Sequence, residues 1–302
     1  MYKISHFGQF ILTGGTLIIC MQYFKPVLNH LYIILLSESS QCLTKLHIRP
    51  IRVFAFLLCI PFLSDCSLLS PMAKLKQSTL VQSHFKHRVV ESYKKSRYIH
   101  VYIEGDGRPW RTRTSISADP SPRNPLMLRL MTLDTNHTLY IGRPCYYQTN
   151  DKKCTPNWWT NSRYGNRVVK SMNRVLDLHL SNDKEVVLIG HSGGGTLAML
   201  MAAQRQDVVA VVTLAGNLNV AAWASHHNYS PLVGSLDPAA LPQLDQNIKQ
   251  LHFLGAKDHT ILKSMLQPVI DKQHNAKLVE LADVSHSCCW ETKWLGILQS
   301  IP

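Results

Sequence analysis

Acidic residues are scarce in this chain. Asp and Glu number 19 against 32 Lys and Arg, and only Glu38 and Asp65 fall within the first 66 positions. A formal charge of +13 is compatible with nucleic acid or an anionic surface. The basic residues are scattered, however, and no DNA- or RNA-recognition motif accompanies them, so nucleic acid is not an expected partner. Internal repeats and low-complexity tracts are absent, which excludes solenoid and collagen-like classes. No clean apolar run reaches the roughly 20 residues that a membrane-spanning helix needs. Metal-ligand spacing is also missing, because neither Cys145 nor Cys154 has the close Cys or His companions of a zinc site. What remains is a 302-residue, 45% hydrophobic globular chain, long enough to fold without a metal or disulfide.

The first 66 residues differ from the rest. Apolar runs cover Phe10 to Met21 (broken by Thr13-Gly14-Gly15-Thr16), Val27 to Leu36 and Val53 to Leu63. The first comes nearest to a spanning segment if Phe7 to Phe24 is taken whole. Ahead of the third stand Lys45, His47, Arg49 and Arg52, and behind it Ser64-Asp65-Cys66-Ser67. Basic, then apolar, then small residues is the order of a secretion signal. Leu63-Ser64-Asp65-Cys66 resembles a bacterial lipobox with Cys66 as the acylated residue, although Asp65 departs from its Gly or Ala. Two readings of the long upstream segment stay open: an anchor formed by the first run, or a start downstream of Met1 that makes 1–42 an extension. A pair of buried helices is the third.

The expected organisation is a hydrophobic signal or anchor region over 1–66, a linker over 67–84 and the main domain over 85–302. The expected location is the cell envelope, periplasmic or membrane-anchored. A disulfide between Cys145 and Cys154, closing a polar loop, suits an oxidising compartment. Cys288-Cys289 reads as a pair of buried thiols.

From about residue 85, short β-branched and aromatic stretches alternate with segments of helical periodicity. Strands are expected at Arg88 to Tyr93, Tyr98 to Ile103, His137 to Ile141, Glu185 to Gly190, Val208 to Leu214, Gln250 to Leu254 and Lys277 to Leu281. Helices are expected at Pro125 to Met131, Ser162 to Leu180, Gly193 to Arg205, Ile261 to Lys272 and Glu291 to Ser300, with room for a short cap helix between 214 and 250. This alternation implies an α/β fold, a mostly parallel sheet with helices on both faces.

One motif carries chemistry. Gly190-His191-Ser192-Gly193-Gly194 is G-x-S-x-G between an apolar strand and a helix, the setting of a nucleophile elbow. A serine hydroxyl needs a base to take its proton. In chain order Ser, acid, His, the partners are Asp258 at the end of a strand and His286 after the next one. Asp237, Asp245, Asp271 and Asp283 are less well placed, as are His226, His227, His259 and His274. The oxyanion donors are the backbone N–H of Gly193 and that of Asp106, in the glycine-flanked Glu104-Gly105-Asp106-Gly107.

These residues resemble the α/β-hydrolase superfamily over roughly 85–300, most closely an exported bacterial serine hydrolase of the esterase or lipase kind. Glu104-Gly105-Asp106-Gly107 stands where His-Gly often opens the oxyanion loop. The resemblance implies the triad Ser192, His286 and Asp258, a small-molecule ester or acyl substrate, and no metal or organic cofactor. A peptidase, amidase or thioesterase with the same triad, or a non-catalytic protein on the same fold, are the alternatives. Trp110, Trp158, Trp159 and Trp223 are candidate pocket residues, and Arg108, Arg111 and Arg113 candidates to attract an anion. The sequence sets no oligomeric state.

Overall fold

The computed structural model describes residues 9–13, 16–20, 34–36, 70–181 and 183–302. The chain divides into two compact units, Met1–Cys66 and Ser67–Pro302. In the first, β1 (Gln9–Thr13), β2 (Thr16–Cys20) and β3 (Ile34–Leu36) form an antiparallel sheet in the order β1-β2-β3. Within the segment that came nearest to a spanning helix, residues 9–13 and 16–20 are therefore paired strands. These strands are rich in Ile, Leu and Thr, and the sequence between them, Gly14-Gly15, is a two-residue hairpin signal. The secretion signal over 53–63 and the lipidation candidate Cys66 lie outside the described residues. Among those described, no helix is long and apolar enough to cross a membrane.

The second unit opens with α1 (Pro71–Lys76) and β4 (Thr79–Gln82). The stretch 67–84, read as a linker, thus carries an edge strand: Thr79-Leu80-Val81-Gln82 pairs antiparallel with β5 (Lys86–Ser92). The chain continues through β6 (Tyr98–Ile103), α2 (Leu126–Met131), β7 (His137–Ile141), α3 (Asn166–His179), β8 (Glu185–His191), α4 (Gly193–Ala202) and β9 (Val208–Leu214). It ends with α5 (Val220–His226), β10 (Lys249–Gly255), α6 (Lys263–Ile270), β11 (Ala276–Leu281) and α7 (Trp290–Leu298).

The eight-stranded sheet runs β11-β10-β9-β8-β6-β7-β5-β4, parallel from β11 through β7 and antiparallel at β5 and β4. Its central strands are buried on both faces. Strand β8 sends Val186 and Leu188 to the side covered by α3 and α4, and Val187 and Ile189 to the side of α2 and α7. That two-sided burial is why the strand reads as a continuous apolar run rather than an alternating one. Helix α4 has all ten residues buried, so it too lacks an amphipathic pattern.

The connectivity positions the site. After β6 the chain moves outward to β7, whereas after β8 it moves the other way to β9. Loops leaving the carboxyl ends of two such strands diverge and open a crevice, where open α/β sheets bind ligands. Gly105 and Asp106 follow β6, and Ser192 follows β8.

Candidate active site

Ser192 occupies the turn between β8 and α4 with φ 52° and ψ −121°, a backbone conformation that side chains other than hydrogen rarely adopt. Backbone bonds hold it there: its N–H donates to Leu214 O at 3.0 Å, and its carbonyl accepts from Gly195 N at 2.9 Å, Asn217 N at 3.0 Å and Thr196 N at 3.4 Å. The turn is tight because the strand and helix nearly touch. A methyl on Gly190 would strike the backbone of Gly194, and one on Gly194 would strike Ile103 O on β6.

The hydroxyl of Ser192 lies 3.1 Å from His286 Nε2, and His286 Nδ1 lies 2.8 Å from Asp258 Oδ2. For both bonds to form, Nδ1 carries the hydrogen and donates to the carboxylate, which leaves Nε2 as acceptor for the serine O–H. Asp258 follows β10, and its Oδ1 accepts from Thr260 N at 2.8 Å and Ile261 N at 2.9 Å. Burial pushes the Asp258 carboxyl up, but the hydrogen bond and charge of His286, with these two amides, outweigh it and hold it below its ordinary value. The three residues expected from the sequence to act together are thus joined in one hydrogen-bonded chain.

His286 is also held through its main chain. Its carbonyl accepts from His191 Nε2 at 2.7 Å and from Trp290 Nε1 at 3.1 Å. His191, the residue before Ser192, is buried; burial first, then the neighbouring His286, lowers its pKa to about 4. It therefore stays neutral at neutral pH and serves as a donor to the His286 loop.

Of the expected oxyanion donors, Gly193 begins α4, where the first N–H groups have no acceptor within the helix. Gly105 borders Ser192, since a methyl there would lie 3.4 Å from Ser192 Cβ. The next residue, Asp106, brings more than a backbone amide. Its carboxylate pairs with Arg143 through Oδ1, with Arg163 through Oδ2 at 2.9 Å, and accepts from Tyr164 Oη at 2.6 Å. Its carbonyl accepts from Tyr146 Oη at 2.8 Å. Burial pushes its carboxyl up, yet Arg143 and Arg163 more than compensate and hold it well below the usual carboxylate range. Arg143, Arg163, Tyr146 and Tyr164 carry no local signal in the sequence; they reach Asp106 from two segments, 143–146 and 163–164, that lie far from it along the chain.

The remaining candidates divide. Cys145 and Cys154 form a disulfide. Cys288 and Cys289, read as buried thiols, are instead bonded to each other, with Cys288 exposed. Trp159 is buried with its indole N–H on Ser117 O, and Trp158 packs edge-on against Phe85, so both are framework residues. Trp110 is exposed, as are Arg108, Arg111 and Arg113. Trp223 stands over Tyr229 and His227, and His227 bonds through Nε2 to Thr260 O in the Asp258 loop. Asp237 takes the N–H groups of Val220 and Ala221 at the start of α5, while Asp283 faces solvent beside Lys257. Among the described residues there is no group of three or more His, Cys, Asp or Glu that could hold a metal.

A family model described as the alpha/beta hydrolase fold matches residues 148–244. The structure is similar to that of alpha/beta hydrolase domain-containing protein 10 from mouse, with TM-score 0.53, 12% identity, and 74% of this chain and 96% of that one covered. It is also similar to an esterase of Pyrococcus furiosus, with TM-score 0.52, 10% identity, and 74% and 87% covered. No curated protein matches the sequence. The chain has the α/β-hydrolase fold, and at such identities the likeness speaks to the fold alone.

Proposed function

We propose that the protein is a serine hydrolase that cleaves a carboxylic ester through an acyl-enzyme intermediate. The observation that carries this reading is the unbroken chain from Ser192 Oγ through His286 to the buried Asp258 carboxylate, set at the sheet's switch point. In the first step Ser192 Oγ bonds to the ester carbonyl carbon, its proton passes to His286 Nε2, and the carbonyl oxygen becomes an oxyanion between the N–H groups of Gly193 and Asp106. His286 then returns the proton to the leaving alcohol. Water releases the acyl group by the same route, with Asp258 orienting and stabilising the imidazolium each time.

The test is labelling of the full chain by a fluorophosphonate probe, with Ser192→Ala as control. Labelling of wild type and not of the variant supports an activated serine, and hydrolysis of p-nitrophenyl esters ahead of anilides then supports ester over amide chemistry. Absence of labelling in folded wild type rejects the hydrolase and favours a binding protein on this fold. The reading extends to export, which the Cys145–Cys154 disulfide supports because such bonds persist in oxidising compartments. Mass analysis of the mature N-terminus checks it: a terminus at or after Cys66 upholds export, and an uncleaved cytosolic chain rejects it.

A further inference from the structure

Asp106 is a paradoxical neighbour for an oxyanion. Its carboxylate and Tyr164 Oη lie against the Cα of Gly193, so that a methyl there would run into both. A bare carboxylate at that place would repel the charge that forms on the substrate oxygen. It is not bare. Two guanidinium groups meet it, one on each oxygen, and their side chains are only 1% and 7% exposed. The buried cluster of Asp106, Arg143 and Arg163 therefore carries one net positive charge beside the elbow.

The same contacts engage every acceptor atom of Asp106. Oδ1 is taken by Arg143, Oδ2 by Arg163 and Tyr164, and the carbonyl by Tyr146. Only its N–H has no partner among the described residues. The clamp is itself braced: Arg143 also donates to Arg163 O at 3.1 Å, and Arg163 Nε to Thr160 O at 2.7 Å. Buried ion groups of this kind often add no stability over an apolar replacement.

We infer that Arg143 and Arg163 are positioning residues of the oxyanion site, fixing Asp106 so that its free N–H faces the forming oxyanion and turning the local field positive. This rests on reading the site as a hydrolase. The two arginines touch no reacting atom. They act through Asp106, while Tyr146 and Tyr164 lock its carbonyl and carboxylate.

The experiment compares wild type with Tyr164→Phe, Tyr146→Phe, Arg163→Gln and Arg163→Lys. Each protein is measured for kcat and KM on p-nitrophenyl acetate, for inhibition by an alkyl trifluoromethyl ketone, and for Tm. The ketone is attacked by Ser192 Oγ at its carbonyl carbon; the C=O π pair moves to oxygen, and the serine proton goes to His286. Its adduct thus carries the oxyanion.

The phenylalanine variants keep the packing and are expected to fold. They should lose roughly three- to tenfold in kcat with KM unchanged, and lose ketone affinity in proportion. Arg163→Gln should lose about 10²-fold in both, with part of the loss recovered in Arg163→Lys. Lowered Tm with kcat and ketone affinity intact would make the cluster a structural brace and overturn the inference. So would a loss confined to KM. Wild type that fails to react with a fluorophosphonate would sink the hydrolase reading and this inference together, whereas labelled wild type with unaffected variants sinks the inference alone.

Discussion

Ser192 stores part of the folding energy as backbone strain. Its φ of 52° with ψ −121° belongs to a region that only glycine occupies freely, and holding another residue there costs about 1–3 kcal/mol. Replacement by glycine relieves the strain but adds chain entropy to the unfolded state, a cost of roughly 0.5–1 kcal/mol. Ser192→Gly is therefore expected to gain about 1 kcal/mol in urea unfolding while losing turnover, and Ser192→Ala to lose turnover without that gain. A Ser192→Gly protein no more stable than Ser192→Ala would show that the elbow is not strained. At this scale the hydrogen-bonded chain of Ser192, His286 and Asp258 was legible because each of them follows a strand in the required order. Arg143 and Arg163 were not, because nothing local distinguishes an arginine that will be buried against Asp106 from one that will face water, as Arg111 does.

Where β6, β8 and α4 cross, the separation is set by glycine rather than by side-chain packing. Gly194 lies against Ile103 O and within 2.7 Å of Glu104 O, measured from where a methyl would stand, and Gly195 would meet Gly216 Cα at 2.8 Å. Backbone cannot yield as a side chain can, so Gly194→Ala must push α4 away from β6. The expected cost is about 1–3 kcal/mol, with kcat down at least about tenfold because the displaced strand end leads directly into Gly105 and Asp106. Gly296 on α7 is the control: a methyl there meets nothing within 4 Å, and Gly296→Ala should stabilise by about 0.5–1 kcal/mol with activity unchanged. Equal behaviour of the two variants, in thermal melts and in assay, would refute the crossing argument.

Strands β6, β7 and β9 were legible because burial on both faces selects β-branched and aromatic residues over most of their length, with only His100, His137, Thr138 and Thr213 as buried polar exceptions. Strand β4 escaped notice because an exposed edge strand of four residues has no buried face to impose a pattern. The β1–β2 hairpin was obscured for the opposite reason, because its strands are apolar at nearly every position and periodicity cannot separate them from a helix.

At the scale of the whole molecule, buried ionisable groups set how stability follows pH. His87, His191 and His252 are all buried, and in each burial is the first cause that lowers the pKa to about 4. Their neutral rings are built into the fold: His87 Nδ1 donates to Gly142 O while Nε2 accepts from Ser171, and His252 pairs with Thr213. An unfolded histidine titrates near 6.5, so between about pH 4 and 6.5 the unfolded chain holds three protons that the native state lacks. Their contribution is complete above that window and is lost as the pH falls through it.

Glu104 works in the opposite direction. Buried under the first turn of α2, where it accepts from Met127 N at 3.1 Å, it has a pKa raised to about 7, chiefly by burial. Between about pH 4.5 and 7 the native state therefore holds a proton that the unfolded chain has released, so this group alone makes stability fall as pH rises. Three groups against one leave unfolding with a net uptake of one to two protons between about pH 5 and 6. The urea midpoint should accordingly rise with pH across that range. Glu104→Gln keeps an acceptor for Met127 N and abolishes the opposing titration. Its slope should steepen to two to three protons, and at pH 8 it should be more stable than wild type by an amount on the order of 3 kcal/mol. A wild-type midpoint that is flat or falling between pH 5 and 6 would mean that the histidines protonate inside the fold. A variant slope equal to that of wild type would mean that Glu104 is already ionised at pH 6, its charge carried by the amides of α2.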